Sequence, residues 1–137
     1  SNERFEFKKI VLKLERRLRL DPHYAAMSVS MDGMLVKIYF KGNAAQQLAN
    51  YTMDPRFSPV SVALSAGELE ALQAHTLAWL RSRSIKFKQI DSDPHKSEVY
   101  IMTWEPRRLL RAARKDGIDM QHIKVGRVMR VTQAKPE

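Results

Sequence analysis

Hydrophobic positions recur along this chain with two periods, 3.6 residues and two residues, and the changes of period divide it into elements. From Phe7 to Leu18 the apolar residues Phe7, Ile10, Val11, Leu14 and Leu18 share a helical arc of about 100°, with Lys9, Lys13, Arg16 and Arg17 opposite. This predicts an amphipathic cationic helix that ends at Asp21-Pro22, because a residue before proline is steered out of the α region. The alternation of Phe5 and Phe7 leaves its start open to a strand instead. Ala26 to Met31 and Met34 to Phe40 read as the strands of a β-hairpin that turns at Asp32-Gly33, a pair tolerant of positive φ. Asn43 then caps a short helix to about Tyr51, stopped by Asp54-Pro55 and Pro59, and a short strand, Val60 to Leu64, follows.

The second half repeats these signals. Ser65 and Glu68 have the spacing of a capping box, in which each side chain satisfies a free N–H of the first helical turn. Leu69, Leu72, Thr76, Leu77, Trp79 and Leu80 then lie on one face of a helix that reaches about Arg83. Ile85 to Ile90 and Val99 to Trp104 read as strands around a polar loop, Asp91 to Glu98. A last helix spans Glu105 to Lys115, with Pro106 in its first turn and Gly117 beyond its end. Ile123 to Val131 reads as a final strand, with Gly126 a candidate bulge. The expected fold is one α+β domain over residues 1–137, a largely antiparallel sheet with helices packed on it. The order helix, hairpin, helix, strand occurs in residues 5–64 and again in 65–131, which raises an internal pseudo-repeat without residue identities to support it.

Charge changes this picture from architecture to function. The net charge of +9 is segregated. Residues 1–20 hold seven Lys/Arg against three acids, residues 21–80 three against five, and residues 81–137 fourteen against seven. Concentrated cations make a field that attracts phosphate, whereas solubility needs no such segregation. In the last helix Arg107, Arg108, Arg111, Arg114 and Lys115 fall within an arc of roughly 120°. Leu109, Leu110 and Ala113 are expected on the other side, and Glu105 and Asp116 project away from the stripe. Four of the five cations are arginines, whose planar donors match phosphate oxygens.

Composition excludes several classes. With no cysteine there is no disulfide scaffold, thiolate metal site or cysteine nucleophile, which suits a reducing cytoplasm. No apolar run approaches the roughly 20 residues of a membrane span and no secretory signal is recognisable, so the expectation is a cytoplasmic protein without a membrane partner. The chain opens Ser1-Asn2 without an initiator Met, read as a remnant of recombinant expression and as a sign of a longer parent; residues 1–4 and 133–137 read as frayed ends. The five glycines stand singly, so no phosphate-cradling loop or dinucleotide fingerprint is present and no cofactor is expected. No catalytic residue can be nominated, and the expectation is a protein that is not an enzyme.

Two further clusters carry weaker signals. Arg81, Arg83, Lys86 and Lys88 precede Tyr100 and Trp104, a mixture of cations and rings that suits single-stranded nucleic acid. Alternation puts Lys86 and Lys88 on one strand face and Ile85 and Phe87 on the other, while Phe87 and Trp79 are most simply core. Asp91, Asp93, His95 and Glu98 are ligand types without a metal motif, and Asp-Ser-Asp-Pro is ordinary turn chemistry, so no metal site is expected. A ribbon-helix-helix pattern fails on the long, strand-like connection Thr52 to Leu64, and a winged-helix pattern lacks a recognition helix before its wing.

The resulting expectation is a nucleic-acid-binding protein, with DNA favoured over RNA, in a regulatory or DNA-processing role. Arg107, Arg108, Arg111, Arg114 and Lys115 would contact phosphates, extended by Lys86, Lys88, Lys9, Lys13 and Arg16. The alternatives are an assembly domain whose basic helix docks an acidic protein, with seven methionines available for an adaptable surface, and a metal-dependent nuclease. Homodimerisation stays open.

Overall fold

Ten elements follow one another in the computed structural model, which describes residues 2–129. They are α1 (Asn2–Leu18), β1 (Tyr24–Ser30), β2 (Leu35–Lys41), α2 (Ala44–Leu48), β3 (Phe57–Val62), α3 (Ala66–Ser82), β4 (Phe87–Asp93), β5 (Glu98–Thr103), α4 (Pro106–Asp116) and β6 (Ile123–Arg127). The class is α+β, with two three-stranded sheets ordered β1-β2-β3 and β4-β5-β6. In the first, β1 pairs antiparallel with β2 and β2 pairs parallel with β3; in the second, β5 pairs parallel with β6. The cause is connectivity. A tight turn reverses the chain between β1 and β2, whereas a helix intervenes before β3 and before β6 and lets each return in the direction of its neighbour. Element order and strand order thus recur, but α2 has 5 residues and α4 has 11, and recurrence of order alone does not make a repeat.

The described residues divide into two compact units, one formed by those up to Ala71 with Asp93–Ser97, the other by Leu72–Ser92 and the described residues that follow Ser97. In the first, Phe7, Val11, Leu14 and Leu18 of α1 pack with Val36, Ile38 and Phe40 of β2, Ala44 and Leu48 of α2, and Phe57. Burying side chains such as Phe7 and Phe40 contributes about 1.5–3 kcal/mol each. The buried stripe is narrower than the pattern suggested, because Ile10 is 43% exposed. Helix α1 begins at Asn2, which settles the choice left open by Phe5 and Phe7 and makes residues 2–4 helical. The hairpin forms, but its loop is Met31–Met34: the Met34 amide donates to the Met31 carbonyl at 3.2 Å, and Met34, at φ 47°, is the left-handed residue. Asn43 caps α2 by accepting from the Gln46 amide at 3.2 Å. Strand β3 starts at Phe57, three residues earlier than the pattern predicts, and tolerates Pro59 because it lies at the sheet edge.

In the second unit, Val99, Ile101 and Thr103 of β5 and Ile123 of β6 line one buried face, with Leu80, Ile85, Leu109 and Ala113 also buried. The capping box at the start of α3, which lies in the first unit, is complete: the Ser65 amide donates to Glu68 Oε1 and the Glu68 amide to Ser65 Oγ, each at 3.1 Å. Strand β4 continues through Asp91 to Asp93, so half of the expected polar loop is strand and only Pro94–Ser97 turns. Gly126 is not a bulge, since the register from Val99↔Ile123 to Thr103↔Arg127 is unbroken. A Cβ there would stand 2.6 Å from Met102 Sδ, so glycine leaves room for the Met102 side chain. The part of the predicted last strand beyond residue 129, and the frayed end at 133–137, lie outside the described residues.

Two helix ends use left-handed residues. Gly117 (φ 65°) closes α4, where the Ile118 amide reaches the Ala113 carbonyl at 2.9 Å. Ser84 (φ 53°) closes α3, where the Ile85 amide reaches the Leu80 carbonyl at 3.0 Å. A side chain in that region costs roughly 1–2 kcal/mol, a penalty glycine escapes. Gly117→Ala is therefore expected to lower, and Ser84→Gly to raise, the free energy of unfolding by about 1 kcal/mol each. Urea titration followed by circular dichroism reads both shifts.

Candidate nucleic-acid interface

Helix α4 is fixed by polar contacts at both ends. At its start, Glu105 occupies the cap position without capping. Its carboxylate instead accepts from the Lys86 amide at 2.9 Å and from Arg108 Nη1 at 3.2 Å, which together hold it below the usual carboxylate pKa, the Lys86 bond most strongly. Thr103 Oγ1 closes the same corner: it donates to the Lys86 carbonyl at 2.5 Å and accepts from the Glu105 amide at 3.0 Å. Arg108 also donates through Nη1 to the Ser84 carbonyl and through Nη2 to the Arg83 carbonyl, both at 3.1 Å. It thereby satisfies carbonyls at the end of α3.

At the other end Asp116 gathers three donors. Trp79 Nε1 donates at 2.8 Å and Arg83 Nε at 2.6 Å, and Arg83 Nη2 pairs with the second carboxylate oxygen. Arg83 above all, then Trp79, pulls the Asp116 pKa down to about 2. The ends of α4 are thus pinned to the end of α3, with Leu109 and Ala113 buried between them along the helix.

This anchoring sorts the predicted cations. Arg108 is exposed like the other four but its guanidinium has partners, and the expectation that no acid touches the stripe is corrected: Glu105, three residues earlier, is within one helical turn and pairs with it. Arg107, Arg111, Arg114 and Lys115 are exposed, and none makes a hydrogen bond or ion pair with another described residue. They remain within about 100° of arc. Leu110 is a second correction. It is 46% exposed beside this ridge, because the buried stripe of a short surface helix is only as wide as Leu109 and Ala113.

Lys86 is exposed, and its backbone is tied to the start of α4 by Thr103 and Glu105; Lys88 is exposed on β4. The expected alternation holds from Ile85 to Lys88, with Ile85 buried and Phe87 half-buried between the exposed Lys86 and Lys88, and gives way only beyond it, where Ile90 and Asp93 are half-buried and the residues between them exposed. Lys9, Lys13 and Arg16 belong to α1 in the other unit. Lys9 pairs with Glu6 at 3.4 Å and lies 4.5 Å from the centre of the Phe5 ring, while Lys13 and Arg16 are exposed on the outer face. Their neighbour Arg17 rests 5.2 Å over the Tyr51 ring. The Tyr51 hydroxyl in turn donates to Asp21 at 2.5 Å, and burial with that bond pushes its pKa up to about 12.

The ligand-type cluster has other employment. Asp91 accepts from Gln89, and Asp93 Oδ1 accepts from the His95 amide at 2.9 Å and faces its Nδ1 at 3.2 Å. Among the described residues no three His, Asp or Glu side chains converge as metal ligands. No described helix is long and apolar enough to cross a membrane. The roles of Arg83, Trp79 and Asp116 are absent from the sequence expectations, although Trp79 on α3 and Arg83 just past its end stand at i and i+4, a spacing that lets one carboxylate reach both. The chain matches no protein-family model and no curated protein sequence.

Because Asp116 titrates near 2 when folded and near 3.8 otherwise, its contribution is full above about pH 3.8 and is lost as pH falls through about 2. Melting temperatures measured across that window are expected to fall less steeply in Asp116→Asn than in the parent, and parallel curves would contradict the anchoring role.

Proposed function

We propose that this protein binds nucleic acid, DNA in a regulatory or processing context, through phosphate contacts from the outer face of α4. One observation carries the reading: the acids at the two ends of α4 are engaged by groups of their own unit, while Arg107, Arg111 and Arg114 stand exposed without a partner among the described residues and Lys115, which interacts electrostatically with Asp116, is exposed beside them. A surface cation left unpaired keeps its full field, and arginine presents a fork that two phosphate oxygens can accept. Lys86 and Lys88 lie in the same unit and add to the field, and Lys9, Lys13 and Arg16 supply a second cationic face on α1. The nuclease reading has no ligand cluster among the described residues to support it.

Leu110 favours a second reading. An apolar side chain 46% exposed beside arginines suits a protein groove with an acidic rim, so docking to an acidic partner is the alternative. Retention on heparin with no affinity for any oligonucleotide would select it.

Fluorescence anisotropy with a labelled DNA, repeated between about 50 and 200 mM salt, tests the first reading. Each phosphate neutralised contributes about −0.9 to the slope of log K against log salt, so the four ridge cations give a slope of about −3 to −4. Arg111→Ala and Arg114→Ala should each flatten the slope by about one and leave thermal stability within about 0.5 kcal/mol of the parent. Arg108→Ala should do the reverse, with a loss of about 1 kcal/mol in stability and little change in slope. A salt-independent affinity would overturn the proposal.

A further inference from the structure

We infer that the second unit recognises single-stranded nucleic acid, with the indole of Trp104 as the platform on which an unpaired base stacks. The inference rests on the nucleic-acid reading above and narrows it to a ligand class.

Both tryptophans of this chain lie in the second unit, and their surroundings differ. Trp79 is half-buried and its N–H is committed to Asp116, so it serves the fold. Trp104 is 46% exposed and has no hydrogen bond or ring contact with another described residue. An indole carries a large apolar area, and folding leaves nearly half of this one in water. Its backbone is nevertheless held. Thr103 and Glu105 on either side are joined to each other and to Lys86 by the bonds from Thr103 Oγ1 and the Glu105 carboxylate. A ring on a fixed stem needs little further ordering to accept a stacked partner.

Two cations lie close to Trp104 along the backbone. Lys86 is bonded through its backbone to both flanking residues, and Arg107, the first ridge arginine, follows three residues on, so their Cα atoms lie within about 11 Å. The adjacent sheet face extends the surface. With Val99, Ile101 and Ile123 buried, Tyr100 and Met102 of β5 and Lys124 and Gly126 of β6 occupy the opposite face, where Tyr100 is paired in register with Lys124 and Met102 with Gly126. Gly126 leaves room for the Met102 side chain against β6. An exposed ring flanked by cations is the arrangement in which bases stack while phosphates follow the positive charge. A duplex keeps its bases stacked on each other and offers such a ring nothing but backbone, so the ring discriminates for the single strand.

The test compares a labelled oligothymidylate of about twelve nucleotides with a duplex of the same length, using the intact chain and its Trp104→Leu and Trp104→Phe variants. Leucine keeps apolar bulk without an aromatic face; phenylalanine keeps the face, and its thermal melt checks folding. Trp104→Leu is expected to lose about ten- to a hundredfold in single-strand affinity, Trp104→Phe less than about fivefold, and all three proteins to bind duplex within about twofold of one another. Single-strand binding should also quench tryptophan fluorescence in the parent and not in Trp104→Phe. Unchanged single-strand affinity in Trp104→Leu, or an equal loss on duplex, overturns the stacking inference while the phosphate reading stands. Failure of the parent to bind either oligonucleotide overturns both.

Discussion

The inward turn of the two carboxylates that flank α4 is the constraint on which the second unit depends. A helix with this many cations carries its own repulsion, and a free acid on its surface would relieve it at the expense of the outward field. Glu105 and Asp116 are placed where they relieve it from behind. Glu105 accepts from the Lys86 amide and Arg108, and Asp116 accepts from Trp79 and Arg83. Each contact is also an anchor, so the same two residues fix the position of the helix and decide which cations are left without a partner.

The anchoring explains why α4 needs so little apolar area. Only Leu109 and Ala113 are buried, too little to orient a surface helix by hydrophobic contact alone. Arg108 supplies the missing specificity by donating to two carbonyls beyond the end of α3, where Ser84 occupies a left-handed conformation that serine adopts at a cost. The end of one helix thus becomes the socket for the next. The first unit is organised differently, by an apolar seam of four α1 residues against β2 and Phe57, and its cations ride on the opposite side of a helix already held in place.

Much of the fold was legible because much of it is local. The Ser65–Glu68 capping box, the Asn43 cap, Pro106 at the start of α4 and Gly117 beyond its end are all set by residues within one turn, and all stand where spacing put them. Elements that depend on distant partners were read less well. Phe57 enters a strand because Val36 lies beside it, and Asp91 belongs to a strand although its neighbours have turn chemistry. The candidate site divides the same way. Helical period alone placed Arg107, Arg111, Arg114 and Lys115 on an open face. Arg108 differs from them locally only in having Glu105 three residues earlier, and the rest of its role depends on carbonyls more than twenty positions earlier in the chain.

The described arginines of the second unit fall into two populations, those with hydrogen-bond partners and those without. Side-chain Nε–H resonances of arginine, followed by NMR while a short DNA is added at low salt, test this division directly. Arg107, Arg111 and Arg114 should shift progressively and saturate together, while Arg83 and Arg108 stay in place, their donors already held by Asp116, Glu105 and the carbonyls at the end of α3. Comparable shifts at Arg83 and Arg108, or silence at the other three, would contradict it.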